Sequence, residues 1–330
     1  MQNIKSTGQI SKAESFSLKG LALLFMVFHH AWRVENYVVK SSILTPEAIY
    51  QIGLIGKMCV PIFVFITGYA GMLALTKKNY TYGEFIKPRL KGLWQKYFIY
   101  FVFLAICTLI ANPSAFFERS WQSWCMNIFG VEYLLTGHLG LRGVFWYIST
   151  AYLLILIIPV LKSFLDHYNG ASVMMAIIFA IVLPREYENN DLLITWIPVA
   201  MMGMYAYKNK ILHVKRPNIA NGLLICLVAC CIYYILTDIG DHCLYIRYYI
   251  CTPMFICGLG HLRSKVFEEI GKQSMGIFLI HTVFLTLFND FTNDWLLLPL
   301  LALIVSYVIA LTIDKLMVFA NAKIKIELKR

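Results

Sequence analysis

The chain is 330 residues long, 59% hydrophobic and only 14% charged, with a mean hydropathy of +0.66. A soluble domain carries roughly 25% charged residues, so a cytosolic globular enzyme is excluded and the solvent for most of this surface is lipid. The net charge of +11, from 29 basic against 18 acidic residues, collects between apolar stretches without any nucleic-acid motif, and reads as membrane topology.

Apolar stretches near the ~20 residues that cross a bilayer predict an all-α, polytopic membrane protein of about ten transmembrane helices. They fall at residues 16–35, 52–75, 93–111, 144–164, 171–183, 192–207, 218–237, 245–262, 274–289 and 295–319. The fifth and sixth are short, and 124–135 reads as an additional interfacial or re-entrant segment. Basic residues cluster before the first stretch, at 77–96, 208–216 and 263–272, and after the last, which predicts cytoplasmic N- and C-termini. One integral domain, 1–330, is expected, located in the cell (inner or plasma) membrane. Lys19, His29 and His30 interrupt the first apolar run, so it is expected to be retained as a helix and not removed as a signal peptide. The nine cysteines show no Cys-x-x-Cys spacing and sit mostly within apolar stretches as small packing residues, no Asp/His/Cys cluster has metal-site spacing, and no metal is expected.

Within the first stretch, Lys19 and His30 are eleven steps apart. Eleven steps of α-helix turn about 1100°, about 20° past three turns, and rise about 16 Å, so both side chains share one face. His29 lies about 80° from Lys19, which selects His30 of the two neighbouring histidines. An ionisable group in a bilayer costs roughly 2.5–3.5 kcal/mol, so this face belongs in a protein interior. Arg33 lies on the same face one turn further on. Lys19 is a candidate site residue, against the alternative that its ammonium reaches the nearby interface.

Six basic residues lie in the predicted loop 77–96. Lys77 and Lys78 read as topology anchors; Lys87, Arg89 and Lys91, just before the amphipathic run with Trp94 and Tyr97, are candidates for phosphate capture. Trp146 and Tyr147 present aromatic faces suited to a sugar, or an interfacial belt. Glu132, Asp290 and Asp294 are expected as solvated outer loop charges. His281 is the second intramembrane histidine, read either as part of a site or as a helix-to-helix hydrogen bond worth about 0.6 kcal/mol.

Five blocks occur in order: Lys19-x10-His30, Pro61-Ile-Phe-Val-Phe-Ile-Thr-Gly-Tyr69, Phe85-Ile-Lys-Pro-Arg-Leu-Lys91, Phe145-Trp-Tyr-Ile-Ser149 and Gly271-Lys-Gln-Ser-Met-Gly-Ile-Phe-Leu-Ile-His281. Together they resemble the acyltransferase-3 family, bacterial membrane O-acyltransferases that modify cell-surface glycans and some secondary metabolites. Family members more often carry Arg where this chain has Lys19, and a second Arg followed by Pro where it has Gly92. The resemblance implies an acetyltransferase that takes acetyl-CoA from the cytosol and esterifies a hydroxyl of a surface or exported polysaccharide. It puts the family's essential first-helix histidine on His30, as general base, and a frequent histidine on His281, which orients the acceptor, stabilises an oxyanion or bonds to His30. Coenzyme A would dock on Lys19, Lys87, Arg89 and Lys91; Arg33, Trp146 and Tyr147 would face the glycan or glycolipid acceptor. The implied partners are that acceptor and membrane lipids, with no nucleic acid. The competing class is a proton-coupled transporter or glycan flippase, which the lack of visible inverted repeats disfavours.

Overall fold

A computed structural model describes residues 9–34, 39–78, 80–141, 143–182, 193–213, 217–238 and 245–327. These are almost wholly helical: α1 (Lys12–His29), α2 (Pro46–Ile55), α3 (Cys59–Lys77), α4 (Tyr82–Ala111), α5 (Pro113–Phe117), α6 (Trp121–Phe129), α7 (Glu132–Thr136), α8 (Trp146–Tyr168), α9 (Gly170–Val182), α10 (Leu193–Lys208), α11 (Ile219–Asp238), α12 (Ile246–Leu259), α13 (Lys265–Lys272), α14 (Ser274–Asn289) and α15 (Leu297–Glu327). Among the described residues there is no strand, only an isolated bridge between Lys40 and Asp294.

Each of the ten predicted stretches falls on a helix, and among the described residues five segments are long and apolar enough to cross a bilayer alone: Pro46–Lys77, Tyr82–Ala111, Trp146–Tyr168, Ile219–Thr237 and Leu297–Phe319. The protein is a multi-pass membrane protein. Its outer faces are apolar: Ile110, Phe179, Leu224, Leu227, Leu316 and Phe319 are all exposed, a surface that suits lipid. The apolar window of Pro46–Lys77 is 78% buried, whereas that of Ile219–Thr237 is 22% buried, so α3 is the central helix of the bundle.

Two boundaries differ from the sequence reading. Helix α4 starts at Tyr82 instead of residue 93, because Thr81 and Glu84 form a capping box, with Thr81 N–H donating to Glu84 Oε2 at 2.8 Å. Its 30 residues reach about 45 Å, well beyond the ~30 Å hydrocarbon layer, so Lys87, Arg89 and Lys91 ride on a helix and not a loop. The segment 124–135 folds as two short helices, α6 and α7, joined through Gly130 at φ +69°. Glu132 is not a solvated loop charge. It is buried, accepting from Ser123 Oγ at 2.5 Å and from Asn127 Nδ2, with Arg119 Nη1 at 3.4 Å. The side chain meets three donors there, which offset the cost of burying it.

Small residues set the close crossings. A Cβ on Gly20 would lie 2.0 Å from the Phe267 carbonyl oxygen and one on Gly271 1.9 Å from that of Phe16, so α1 and α13 touch backbone to backbone. The same holds where α3 meets α10, with Gly68 against Ala200 O and Gly203 against Phe65 O. Between α13 and α14 the chain bends by 83°, which lays the amphipathic α13 across the start of α1 and sends α14 into the bundle.

Candidate active site

His29 ends α1 and His30 follows it as the C-cap, and their contacts separate at once. His29 is buried and its Nδ1 donates to the Gly53 carbonyl at 2.7 Å, tying α1 to α2. Gly56, in a 3-10 turn (Gly56–Met58), has no room for a Cβ, which would meet His29 Cβ at 2.8 Å. His30 opens a π-helical turn, His30–Val34. Such turns are rare and often accompany functional sites, because the extra residue re-aims side chains. The turn is held from the far side: Trp32 Nε1–H donates to Trp295 O at 2.7 Å.

His30 meets His281 of α14 edge to face, with ring centroids 4.8 Å apart at 76°. His281 is fully buried. Its Nδ1 lies 2.9 Å from Phe278 O and 3.1 Å from Ile277 O, two acceptors, so Nδ1 carries the proton. In the neutral ring Nε2 is then the lone-pair nitrogen, and it has no hydrogen-bond partner among the described residues. A buried acceptor in that state is costly in a purely structural role.

Below this pair lies a cavity of about 400 Å³. Every one of the five blocks lines it: Lys19 of α1; Phe63 and Thr67 of α3; Pro88 and Arg89 of α4; Tyr147 and Ile148 of α8; Ser274, Met275 and Phe278 of α14. Along α8 it runs from Ile155 to Tyr147, about 12 Å. On α14 the face of Ser274 and Phe278 continues one turn to His281, and the Phe278 and His281 rings are 6.4 Å apart. Tyr147 and Phe278 pack at 5.1 Å, and Phe63 and Tyr147 at 6.3 Å. These three rings form an aromatic layer between the cationic end of the cavity and the histidines.

At the cationic end, Lys19 Nζ lies 5.8 Å from the Phe16 ring centre. The Arg89 guanidinium stacks 3.8 Å over the Phe85 ring and donates from Nη1 to Phe85 O at 2.7 Å. That fixes its plane and leaves its other N–H groups for a ligand. Lys87 and Lys91 are exposed and stand outside the cavity lining. Trp146, one position from Tyr147 and about 100° around the helix, is turned away, its ring 6.3 Å from that of Trp196 and nearly parallel. The side chain of Arg33 lies outside the described residues. Among the lining residues that the sequence reading did not single out are Phe63, Thr67 and Phe278, each inside a block it quoted, and Leu93, Ala151 and Ile155, which lie outside the blocks.

Among the described residues no group of three His, Cys, Asp or Glu converges to hold a metal ion. The arrangement can hold an anionic head at Lys19 and Arg89, sheath an apolar or amide-bearing arm along α8, and present an imidazole pair beyond the aromatic layer. A family profile described as an acyltransferase domain matches residues 17–314. No curated protein and no solved structure matches the chain.

Proposed function

The chain belongs to the acyltransferase-3 family, an enzyme family that moves acyl groups, and from that membership we propose that it is a membrane O-acetyltransferase acting on a glycan hydroxyl. In this reading acetyl-CoA is the donor and the acceptor is a cell-surface or exported polysaccharide, met in the cell membrane of a bacterium. The observation that carries it is the line of groups from Lys19 and Arg89, past Tyr147 and Phe278, to the paired rings of His281 and His30.

The chemistry follows the line. The coenzyme's phosphates stay with the cations at the basic end while its arm passes up the cavity and brings the thioester carbonyl beyond the aromatic layer. His30 takes the acceptor hydroxyl proton as its oxygen bonds to the carbonyl carbon; the C–S bond then breaks and the thiolate leaves, taking a proton back. His281, with Nε2 unprotonated, is suited to accept a hydrogen bond from His30 as that ring becomes an imidazolium. Among the described residues, Lys77 and Lys78, Lys162, and Lys208 and Lys210 lie toward the ends of α3, α8 and α10, which supports a cytosolic donor side.

Purified protein should bind coenzyme A in isothermal titration and release free thiol from acetyl-CoA when a glycan acceptor is added. Lys19→Met should raise the KM for acetyl-CoA about 10- to 100-fold, the loss of one hydrogen-bonded charge contact, with kcat much less changed. An unchanged KM in that variant would remove Lys19 from the donor site. Absence of any coenzyme A binding by the wild type would overturn the donor assignment.

A further inference from the structure

A second cavity of about 410 Å³ opens at the basic end of the bundle, between the last turns of α3, α8 and α10. Three lysines line it, Lys162 of α8, Lys208 at the end of α10 and Lys210 just after it, together with Asp166, Thr76 and Tyr207. Asp166 is already engaged: Lys162 Nζ donates to its Oδ2, and Lys208 Nζ lies 3.1 Å from its Oδ1 and donates to Leu165 O at 2.7 Å. The carboxylate thus gathers two ammonium groups beside a third, Lys210, which is exposed and held at φ +51°. Three cations against one anion leave a formal +2, with the hydroxyls of Thr76 and Tyr207 as further donors. That is the complement of a phosphate monoester, which carries about −1.5 to −2 near neutral pH and offers three acceptor oxygens.

The cavity is aligned with the candidate active site. On α8, Lys162 follows Ile155 by seven residues, about 10 Å, and on α3 Met72 follows Thr67 by five, about 7 Å. Ile158 packed on Gly71 forms the ridge between the two spaces. Tyr207, in the lysine cavity, packs edge-on at 5.4 Å against Tyr69, the last residue of the second block. A ligand with one phosphate-bearing head and a flexible arm can straddle that ridge.

We propose that the Lys162–Lys208–Lys210 cavity binds the phosphate monoester on the ribose of the coenzyme A donor, so that the enzyme distinguishes coenzyme A from its dephospho form. The inference rests on the reading of coenzyme A as donor. It moves part of the phosphate capture from the exposed Lys87 and Lys91 to a built cavity. The same chemistry would suit a phosphate on an anionic lipid headgroup, and the experiment separates the two.

The full chain is reconstituted in nanodiscs of phosphatidylcholine alone or with phosphatidylglycerol, and titrated with coenzyme A and with 3′-dephospho-coenzyme A. Wild type should prefer coenzyme A by about tenfold or more in both lipids, the weight of one charge-assisted contact set. The exposed Lys210→Glu, and the triple Lys162→Met, Lys208→Met, Lys210→Met, should erase that preference, with turnover of S-acetylpantetheine unchanged. Lys210→Glu keeps the test available if the triple variant does not fold. Retention of the wild-type preference in Lys210→Glu would overturn the proposal. So would a change confined to the effect of phosphatidylglycerol, which would assign the cavity to lipid. Failure of wild type to bind either coenzyme overturns the donor reading itself, whereas equal binding of both by wild type overturns only this inference.

Discussion

His30→Ala is expected to lower acyl transfer by about 10²- to 10⁴-fold, the range for loss of a positioned general base, while coenzyme A binding stays near the wild-type value. The two readouts separate because the ring lies beyond the aromatic layer, about 16 Å along α1 from Lys19 at the cationic end. His29→Ala provides the contrast. That ring is committed to the Gly53 carbonyl and packs at Gly56, so its removal should cost stability, seen as a lower Tm, with a far smaller loss of turnover per folded molecule. A His30→Ala enzyme as active as wild type would take His30 out of the chemistry and leave the π-helical turn without a functional account.

Gly271→Leu is expected to abolish accumulation of folded protein in the membrane. The Cβ alone would stand 1.9 Å from the Phe16 carbonyl oxygen and 2.9 Å from the Gly20 nitrogen, so α13 cannot keep its place against α1. Overpacking a side chain costs typically 1–3 kcal/mol where neighbours can move. Here the obstacle is backbone of another helix, so the cost lies above that range. Because the 83° bend that follows α13 directs α14, the displacement also carries Ser274, Phe278 and His281 away from Lys19 and His30. Size-exclusion profiles and thermal stability of the solubilised protein check this. A Gly271→Leu protein with wild-type Tm would show that the α1–α13 crossing is looser than described.

The membrane class and the positions of the helices were legible in the sequence because lipid imposes a simple requirement, a sustained apolar run, that needs no knowledge of partners. What apolarity cannot report is a helix that continues past the lipid. Helix α4 gains more than two turns from the Thr81–Glu84 box and a polar surface, which a hydropathy window reads as loop. Glu132 was misplaced for a related reason: its partners Ser123, Asn127 and Arg119 become neighbours only after α6 and α7 fold back on each other. Three turns of regular helix carry the face of His30 back to that of Lys19, and the structure separates the two neighbouring histidines: His29 bonds to the Gly53 carbonyl, whereas His30 meets His281. The π-helical turn beginning at His30 was not legible, because it depends on Trp295 and the α14–α15 connection, far away in sequence. Phe63, Thr67 and Phe278 escaped notice for lack of titratable groups; aromatic and small hydroxyl side chains in an apolar run look like core until the cavity beside them is seen.

The proposed donor path would also account for the spread of these groups along the chain. A donor whose charged head must stay outside lipid and whose reactive carbonyl must lie inside needs cations at one end and a base deeper in the bundle. In the proposed reading Lys19 and His30 on one helix would provide that ruler, with Arg89 and the face of α8 along its length and His281 beside His30. The lysine cavity extends the same axis outward toward the basic end.

The most direct test is an electron cryomicroscopy structure of the full chain with a non-hydrolysable acetyl-CoA analogue bound. The account predicts the arm in the Lys19–Arg89 cavity, running past Tyr147 and Phe278, with the acyl carbonyl placed so that an acceptor hydroxyl can sit within about 3 Å of the His30 ring. An analogue bound elsewhere, or an acyl group held in the cavity with the Phe63–Tyr147–Phe278 layer closed between it and both histidines, would contradict it.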